Sequence, residues 1–446
     1  MPSEKTGEEL KRIVGVPGLA ATVVNFSIGA GIYALPALIG IQLGITGALT
    51  GFVLCGLMFT AIMLCYVEIG SKVKTTGGSY AYVEAAFGPM AGFIVNWLFF
   101  FGWAILSDAA IMNIVADSTA VLFPVFSTPF MRVLLFLFLT GLMIIANVRS
   151  AKQSIRVVSW ITVIKLVPLF AIILIGFFHV KTGNLHWEEF PTLKSFGASA
   201  IILFFSLAGF ESALNVSGEI KNPGRTIPRG ILTGGILVFL IYLFIQTITI
   251  GILGDELTKY KDAPLAAVAE QIIGPAGTLI LLVAAMISGL GSINGDVFAS
   301  SRLLYAGAKD GLFPKFLSKI HSRFATPHFA IFTFAGLIFI LSVFGGFSQL
   351  AILASGALLL IYMAVVLATI KLRTVNKTTG EKSFRIPGGL TIPVIAIAAI
   401  TWVLSNLNRN EILSILVFVA AVCALYFIMK KLKANPGEEK SGIPPA

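Results

Sequence analysis

Apolar residues fill this chain in long blocks, and the charged residues fall between the blocks rather than within them. A block of about 18 or more apolar residues is long enough to cross the hydrocarbon of a bilayer as a helix. Twelve such blocks can be drawn, at roughly 13–41, 45–68, 91–124, 130–148, 154–179, 195–218, 229–253, 275–307, 326–344, 347–370, 389–407 and 411–430. The pattern predicts an all-α integral membrane protein with twelve transmembrane helices.

Two of the blocks are interrupted. In the first, Gly29, Ala30 and Gly31 carry almost no side chain and invite the helix to unwind. In the sixth, Ser206, Ala208 and Gly209 break an apolar run that also holds Phe205 and, inside the membrane, Glu211. Irregular backbone at membrane depth persists only where protein buries it or where it lines a cavity. For either break alone, close helix packing through small residues is the competing reading. Placed about five spans apart, the two together point to a transporter site built from inverted repeats.

Composition agrees with the pattern: 57% of residues are hydrophobic, 12% are charged, and the mean hydropathy is +0.93, values that exclude a soluble globular domain. A net charge of +11 could indicate nucleic acid, but its distribution excludes that partner. Most of the 32 Lys and Arg residues fall in links on one side, and the other side holds only Arg132, Lys181, Lys194, Lys259, Lys261 and Arg409. The positive-inside rule then predicts a multi-pass protein of the cytoplasmic membrane with both termini cytoplasmic. Residues 1–12 read as a polar cytoplasmic segment, not a removable signal, and 431–446 as a disordered cytoplasmic tail. Between them lie a transport core over 13–370, with halves at about 13–179 and 195–370, and a region 371–430 holding a cytoplasmic loop and the last two helices.

Cys55, Cys65 and Cys423 lie in spans without metal-ligand spacing, and His179, His186, His321 and His328 fall in loops or at helix ends. With no converging nucleophile and base either, the sequence predicts no enzyme activity, no metal and no cofactor. The chemistry-bearing residues are intramembrane charges, each a functional hypothesis by default. Asp108 lies near the middle of the third span and is favoured as functional, whereas Asp117 lies closer to the outer end and reads as structural. Asp296, in the eighth span, is deep enough to need a partner or water. Lys165, in the fifth, either snorkels its stem toward the surface or sits beside a cavity and exchanges a proton with it. The link 74–84, with its Gly77–Gly78 turn, is expected to enter an amphipathic helix, either a solvated connector or an inner gate beneath the first helix. Spans nine to twelve carry little charge and read as scaffold.

Taken in order, Gly29 to Pro36, Gly77 to Tyr82, Gly209 to Ala213, Lys221 to Pro223, Ile227 to Arg229 and Ser301 to Ala306 resemble the amino acid/polyamine/organocation superfamily, in particular its bacterial amino acid permeases. The resemblance implies that the first ten of twelve helices form a five-plus-five inverted repeat, with helices one and six interrupted, and alternate access around a central site. It implies an amino acid substrate whose carboxylate meets the amides of Gly29, Ala30 and Gly31 at a helix N-terminus. Carbonyls of Phe26 and Ser27, and those near Phe205, Ser206 and Ala208, would accept the ammonium. The family often has Ser where this chain has Ala30, so backbone amides must serve alone or Ser27 compensates. Phe205 would close over the substrate and Asp296 would touch its side chain, with Asp108 and Glu211 as further acidic candidates. Lys165 matches a lysine that stands, in sodium-independent relatives, where symporters bind sodium. The resulting expectation is proton-coupled, sodium-independent amino acid transport; sodium-independent exchange, and transport of cationic amino acids or polyamines, remain alternatives.

Overall fold

The computed structural model describes residues 12, 14–73, 77–149, 151–185, 190–215, 220–309, 311, 313–375 and 384–434. The expected N-terminal segment up to Lys11, Lys74 in the first link, His186 and the tail beyond Ala434 lie outside the described residues. The described part is helical, and its one bridge pairs Val14 with Ile220.

The first apolar block forms α1 (Val16–Ser27) and the start of α2 (Gly31–Lys72), separated at Ile28 to Ala30. α1 begins with Pro17 in its first turn, where a missing N–H costs nothing. α2 contains a kink at Gly44, whose φ of 67° and ψ of −174° are outside any helix, and this is where the sequence separates its first two spans. α3 (Gly78–Phe87) and α4 (Pro89–Trp97) follow. α4 continues through a π-helical stretch, Leu98–Ala104, into α5 (Ile105–Leu122). Next come α6 (Pro129–Arg149), α7 (Ala151–Gly176) and α8 (Leu193–Leu207). α8 stops at the second break, and a short 3-10 turn, Ser212–Leu214, follows it. The rest are α9 (Pro223–Leu253), α10 (Pro264–Ile273), α11 (Pro275–Lys309), α12 (His328–Phe344), α13 (Phe347–Val375), α14 (Thr391–Ser405) and α15 (Arg409–Ala434).

Among the described residues, eight helical segments are long and apolar enough to cross a membrane, and five shorter apolar helices accompany them. The broken helices sit at the centre. α1 packs on α9, α2 on α8 and α9, α11 on α5 and α7, and α13 on α5, α2 and α3. Lipid tails are as apolar as Leu, so close contact rather than water exclusion holds such helices together. At the α1–α9 crossing, a Cβ on Gly234 would lie 2.6 Å from the Val23 side chain. Any larger residue there separates the two helices.

Within the region read as scaffold, α13 makes a buried ionic tie to α2. Its Arg373 grips the fully buried Glu68 of α2 through Nε at 2.7 Å and Nη2 at 2.5 Å. Lys72 Nζ and the Ile386 amide also donate to Glu68, at 2.7 and 3.0 Å, so the buried carboxylate is paired as such a group must be. The structural reading of Asp117 is supported: Arg132 of α6 pairs with it at 2.6 Å and also donates to Asn113 Oδ1 at 2.8 Å. α3 packs mainly on α4 and α13, and the Gly77 amide just before it donates to Asn215 O at 3.4 Å. The start of α3 is thus tied to the segment after the second break.

Candidate functional site

A cavity of about 310 Å³ lies where the two breaks meet α5, α7 and α11. Helix one contributes Asn25, Phe26 and Gly29, and the second break contributes Gly209, Ser212 and Asn215. Trp103 and Ala104 come from the π-helical stretch, Lys165 from α7, and Ser292 and Asp296 from α11. Phe99, Trp103, Ser107 and Ile111 recur every four residues along this helix and so share one wall. The cavity extends past Ser300 to Leu303, toward the end of α11 that carries Lys309.

The first break is held from outside. Lys165 Nζ, 2% exposed, donates to Asn25 O at 2.7 Å, and Tyr242 of α9 donates to Ser27 O at 3.4 Å. Tyr33, in the first turn of α2, donates in turn to Lys165 O at 3.2 Å. α7 therefore touches both halves of helix one. The last intrahelical amide of α1 is that of Ile28, on Val24 O, and the next backbone bond beyond the break runs from Tyr33 N to Ala30 O. The amides at the start of α2 are those a helix leaves without intrahelical acceptors, with the positive end of its dipole behind them.

The second break is held from inside. Gly209 has φ 116°, a conformation open to glycine, and a Cβ there would lie 2.8 Å from the Phe26 carbonyl. Glu211 Oε2 accepts the Gly209 amide at 3.0 Å and the Tyr362 hydroxyl of α13 at 2.8 Å. Phe210 packs edge-on to Tyr66, with ring centres 5.1 Å apart, and beside Tyr362 at 5.8 Å. These contacts fix the shape of the unwound segment and close it on the side of α3.

Of the residues singled out from sequence, Phe26, Gly29, Lys165 and Asp296 line the cavity. Ala30 and Gly31 lie buried beside it at the start of α2. Phe205 stands behind the lining, edge-on to Trp103 at 5.7 Å and to Phe347 at 5.9 Å. Ser206 returns its hydroxyl to Leu203 O at 2.6 Å, and the Ala208 amide bonds Phe204 O, so both complete α8. Glu211 faces Gly209 and Tyr362 rather than the cavity. Asp108 is buried with no donor on either oxygen, and its neighbour is the Asp296 carboxyl. Trp103, Ser107, Asn215 and Ser292 were not anticipated, since serine, asparagine and tryptophan in an apolar helix give no signal of which way they face.

Comparison with known proteins agrees with this architecture. The family described as amino acid permease matches residues 14–436. The serine/threonine exchanger SteT of Bacillus subtilis is 28% identical, covering 98% of this chain and 100% of its own. The branched-chain amino acid permease BcaP of the same organism is 25% identical over 96% and 95%. The mouse large neutral amino acids transporter small subunit 2 is 29% identical over 72% of this chain and 62% of its own. With a match over nearly its full length and a cavity at two broken membrane helices, this chain belongs to the amino acid permease family.

Proposed function

We propose that this protein is a secondary active transporter that carries amino acids across the cytoplasmic membrane by alternating access. The observation that carries the reading is the cavity itself: helix-start amides, helix-end carbonyls and a lysine-held break converge on one space of amino acid size. On this reading α2 holds two spans split at Gly44, the first of them begun by α1, and α7, α12 and α14 complete a set of twelve that leaves α10 outside the count; the first ten form a five-plus-five repeat, and both termini are cytoplasmic. The end of α11 toward which the cavity extends is then the cytoplasmic one, so the conformation described here faces inward.

The substrate carboxylate meets the amides of Gly29, Ala30 and Gly31, and its ammonium meets the carbonyls around Phe26 and Gly209. Burying both charges is affordable only against such preorganised partners. Phe205 acts through Trp103, which it supports from behind. Asp296 and Lys165 put opposite charges on the cavity wall, which suits an amino acid with a neutral side chain. Lys165 occupies a carbonyl of the first break with its own ammonium, which favours sodium-independent transport with protons as the coupling ion. SteT is named as an exchanger, so sodium-independent exchange is the second reading.

Uptake of a labelled amino acid panel into proteoliposomes, with pH and sodium gradients imposed separately, tests both readings. Concentration of a neutral amino acid on a pH gradient supports proton symport; uptake only against preloaded amino acid supports exchange. Failure of every amino acid under both conditions overturns the function. Asp296→Asn should weaken any transport of lysine or polyamine by about 1 to 3 kcal/mol while leaving neutral substrates nearly untouched; a uniform loss would place Asp296 in coupling or in the fold.

A further inference from the structure

The two broken segments have a second face. Phe26, Gly29, Gly209 and Ser212 line the cavity described above, while their neighbours Ser27, Leu207 and Phe210 line a separate crevice of about 260 Å³ between α2 and α9. The unwound backbone is the wall between the two spaces. The inner end of the crevice is buried at Ser27 and Phe210; its mouth is formed by Val53, Leu57 and Ile236, which are 42%, 65% and 56% exposed. α2 and α9 both belong to the segments long and apolar enough to cross the membrane, so these exposed side chains face hydrocarbon. Through Val53 the crevice continues into a groove along the same seam, past Leu49, Leu54, Leu243 and Phe244. From Met63 to Leu49 the space follows α2 for about 21 Å at 1.5 Å per residue, a long and narrow shape.

What fills it follows from its walls. A buried water needs two to four polar partners. The hydroxyls of Thr50, Thr60 and Thr247 are already bonded to carbonyls of their own helices, leaving Ser27 Oγ as the unpartnered polar atom of this wall among the described residues. An empty apolar space, in turn, forfeits dispersion contacts along its whole lining. The bilayer supplies hydrocarbon chains at the mouth in vast excess, and mass action favours the filled state.

We propose that this crevice binds one acyl chain of a membrane phospholipid, and that the chain, wedged behind Ser27 and Phe210, biases the shape of both breaks and so the rate of exchange between access states. Occupancy stands on the geometry alone; the effect on rate rests on the transport reading above. A ligand placed against one face of a two-state element shifts its balance by its differential contacts with the two states.

The test uses the full chain in liposomes of phosphatidylethanolamine and phosphatidylglycerol carrying a diazirine within the acyl chain. Photolabel is expected on Met63 and Phe239 inside the crevice. Ile236→Trp, at the lipid-facing mouth, should lower that labelling about tenfold while Leu416 and Val417 of the lipid-facing α15 stay labelled. Unlabelled inner residues, or labelling that the plug leaves unchanged, would overturn the site. Displacement of the label by added free fatty acid would assign it to that source and overturn the phospholipid. In counterflow of an amino acid, the plugged variant should differ from the parent by about fivefold or more, the low end of allosteric couplings; lost labelling with unchanged counterflow overturns the wedge. A parent protein that moves no amino acid would sink the transport reading and leave the labelling result standing.

Discussion

The two breaks do the same geometric job by opposite means. At the first, the backbone is unwound without a left-handed residue, and a Cβ on Gly29 would meet nothing closer than Ile111 at 3.7 Å. Its fastenings come from other helices, through Lys165 and Tyr242. At the second, the fastening is local: Gly209 takes a left-handed conformation with no room for a side chain, and Glu211, two residues on, caps its amide. A segment fastened by its own residues is rigid, and one fastened by a lysine from a neighbour can be released. On this difference we propose stability as the role of the helix-six break and switching as that of the helix-one break.

The sharpest way to break that comparison is a pair of alanines. Gly209→Ala combines backbone strain with a clash against the Phe26 carbonyl and should cost about 2 to 5 kcal/mol, seen as a lower unfolding temperature in detergent. Gly29→Ala should stay within about 1 kcal/mol of the parent, because the added methyl finds space. Equal losses at the two positions would remove the distinction.

Next in size is Gly31→Val. A Cβ there already lies 3.3 Å from Leu35 and 3.7 Å from Phe205, and a branched side chain would fill the carboxylate site and stiffen the turn. Amino acid affinity should fall by about 100-fold or more, roughly 2.8 kcal/mol, with the fold retained; calorimetry on a folded variant that still binds normally would contradict the placing of the carboxylate.

Lys165→Gln tests release directly. Binding should remain measurable, while uptake in proteoliposomes becomes insensitive to an imposed pH gradient, which is worth about 1.36 kcal/mol per proton and pH unit, or net uptake stops while exchange survives. A variant that concentrates substrate on a pH gradient as the parent does would show that Lys165 is not the coupling residue, and Glu211 would be next. The smallest effect is expected at the second break: Tyr362→Phe removes one hydrogen bond to Glu211, about 1 kcal/mol, and should lower thermal stability with little change in affinity. A large affinity loss there would make the helix-six break a switch as well.

The apolar helices were legible from the sequence because hydrocarbon demands unbroken apolar runs, and the small-residue interruptions stood out against them. Even the kink at Gly44 falls between two blocks read from hydropathy. Lys165 and Asp296 were legible for the same reason: a charge in an apolar run is expensive, so it announces itself. Direction was not. Glu211 and Asp108 look like Asp296 in the sequence, yet one caps Gly209 and the other lies behind a carboxyl, because a helix has several faces and only its neighbours decide which one meets the cavity. Nor does the sequence rank the glycines of the two breaks: Gly29 and Gly31 stand out by their spacing, yet of the three it is Gly209 that has no room for a side chain, a fact set by the approach of the Phe26 backbone from a helix far away in the chain. The role of α13 was hidden altogether. Arg373 sits at the end of an apolar run like many cytoplasmic arginines, and only folding brings it onto Glu68, where a buried carboxylate leaves it no freedom to remain in water. One-dimensional hydropathy thus determined what lies in the membrane and where its helices fail, while packing decided which polar groups meet, because that depends on helix rotation and crossing, to which a uniform hydrocarbon solvent is indifferent.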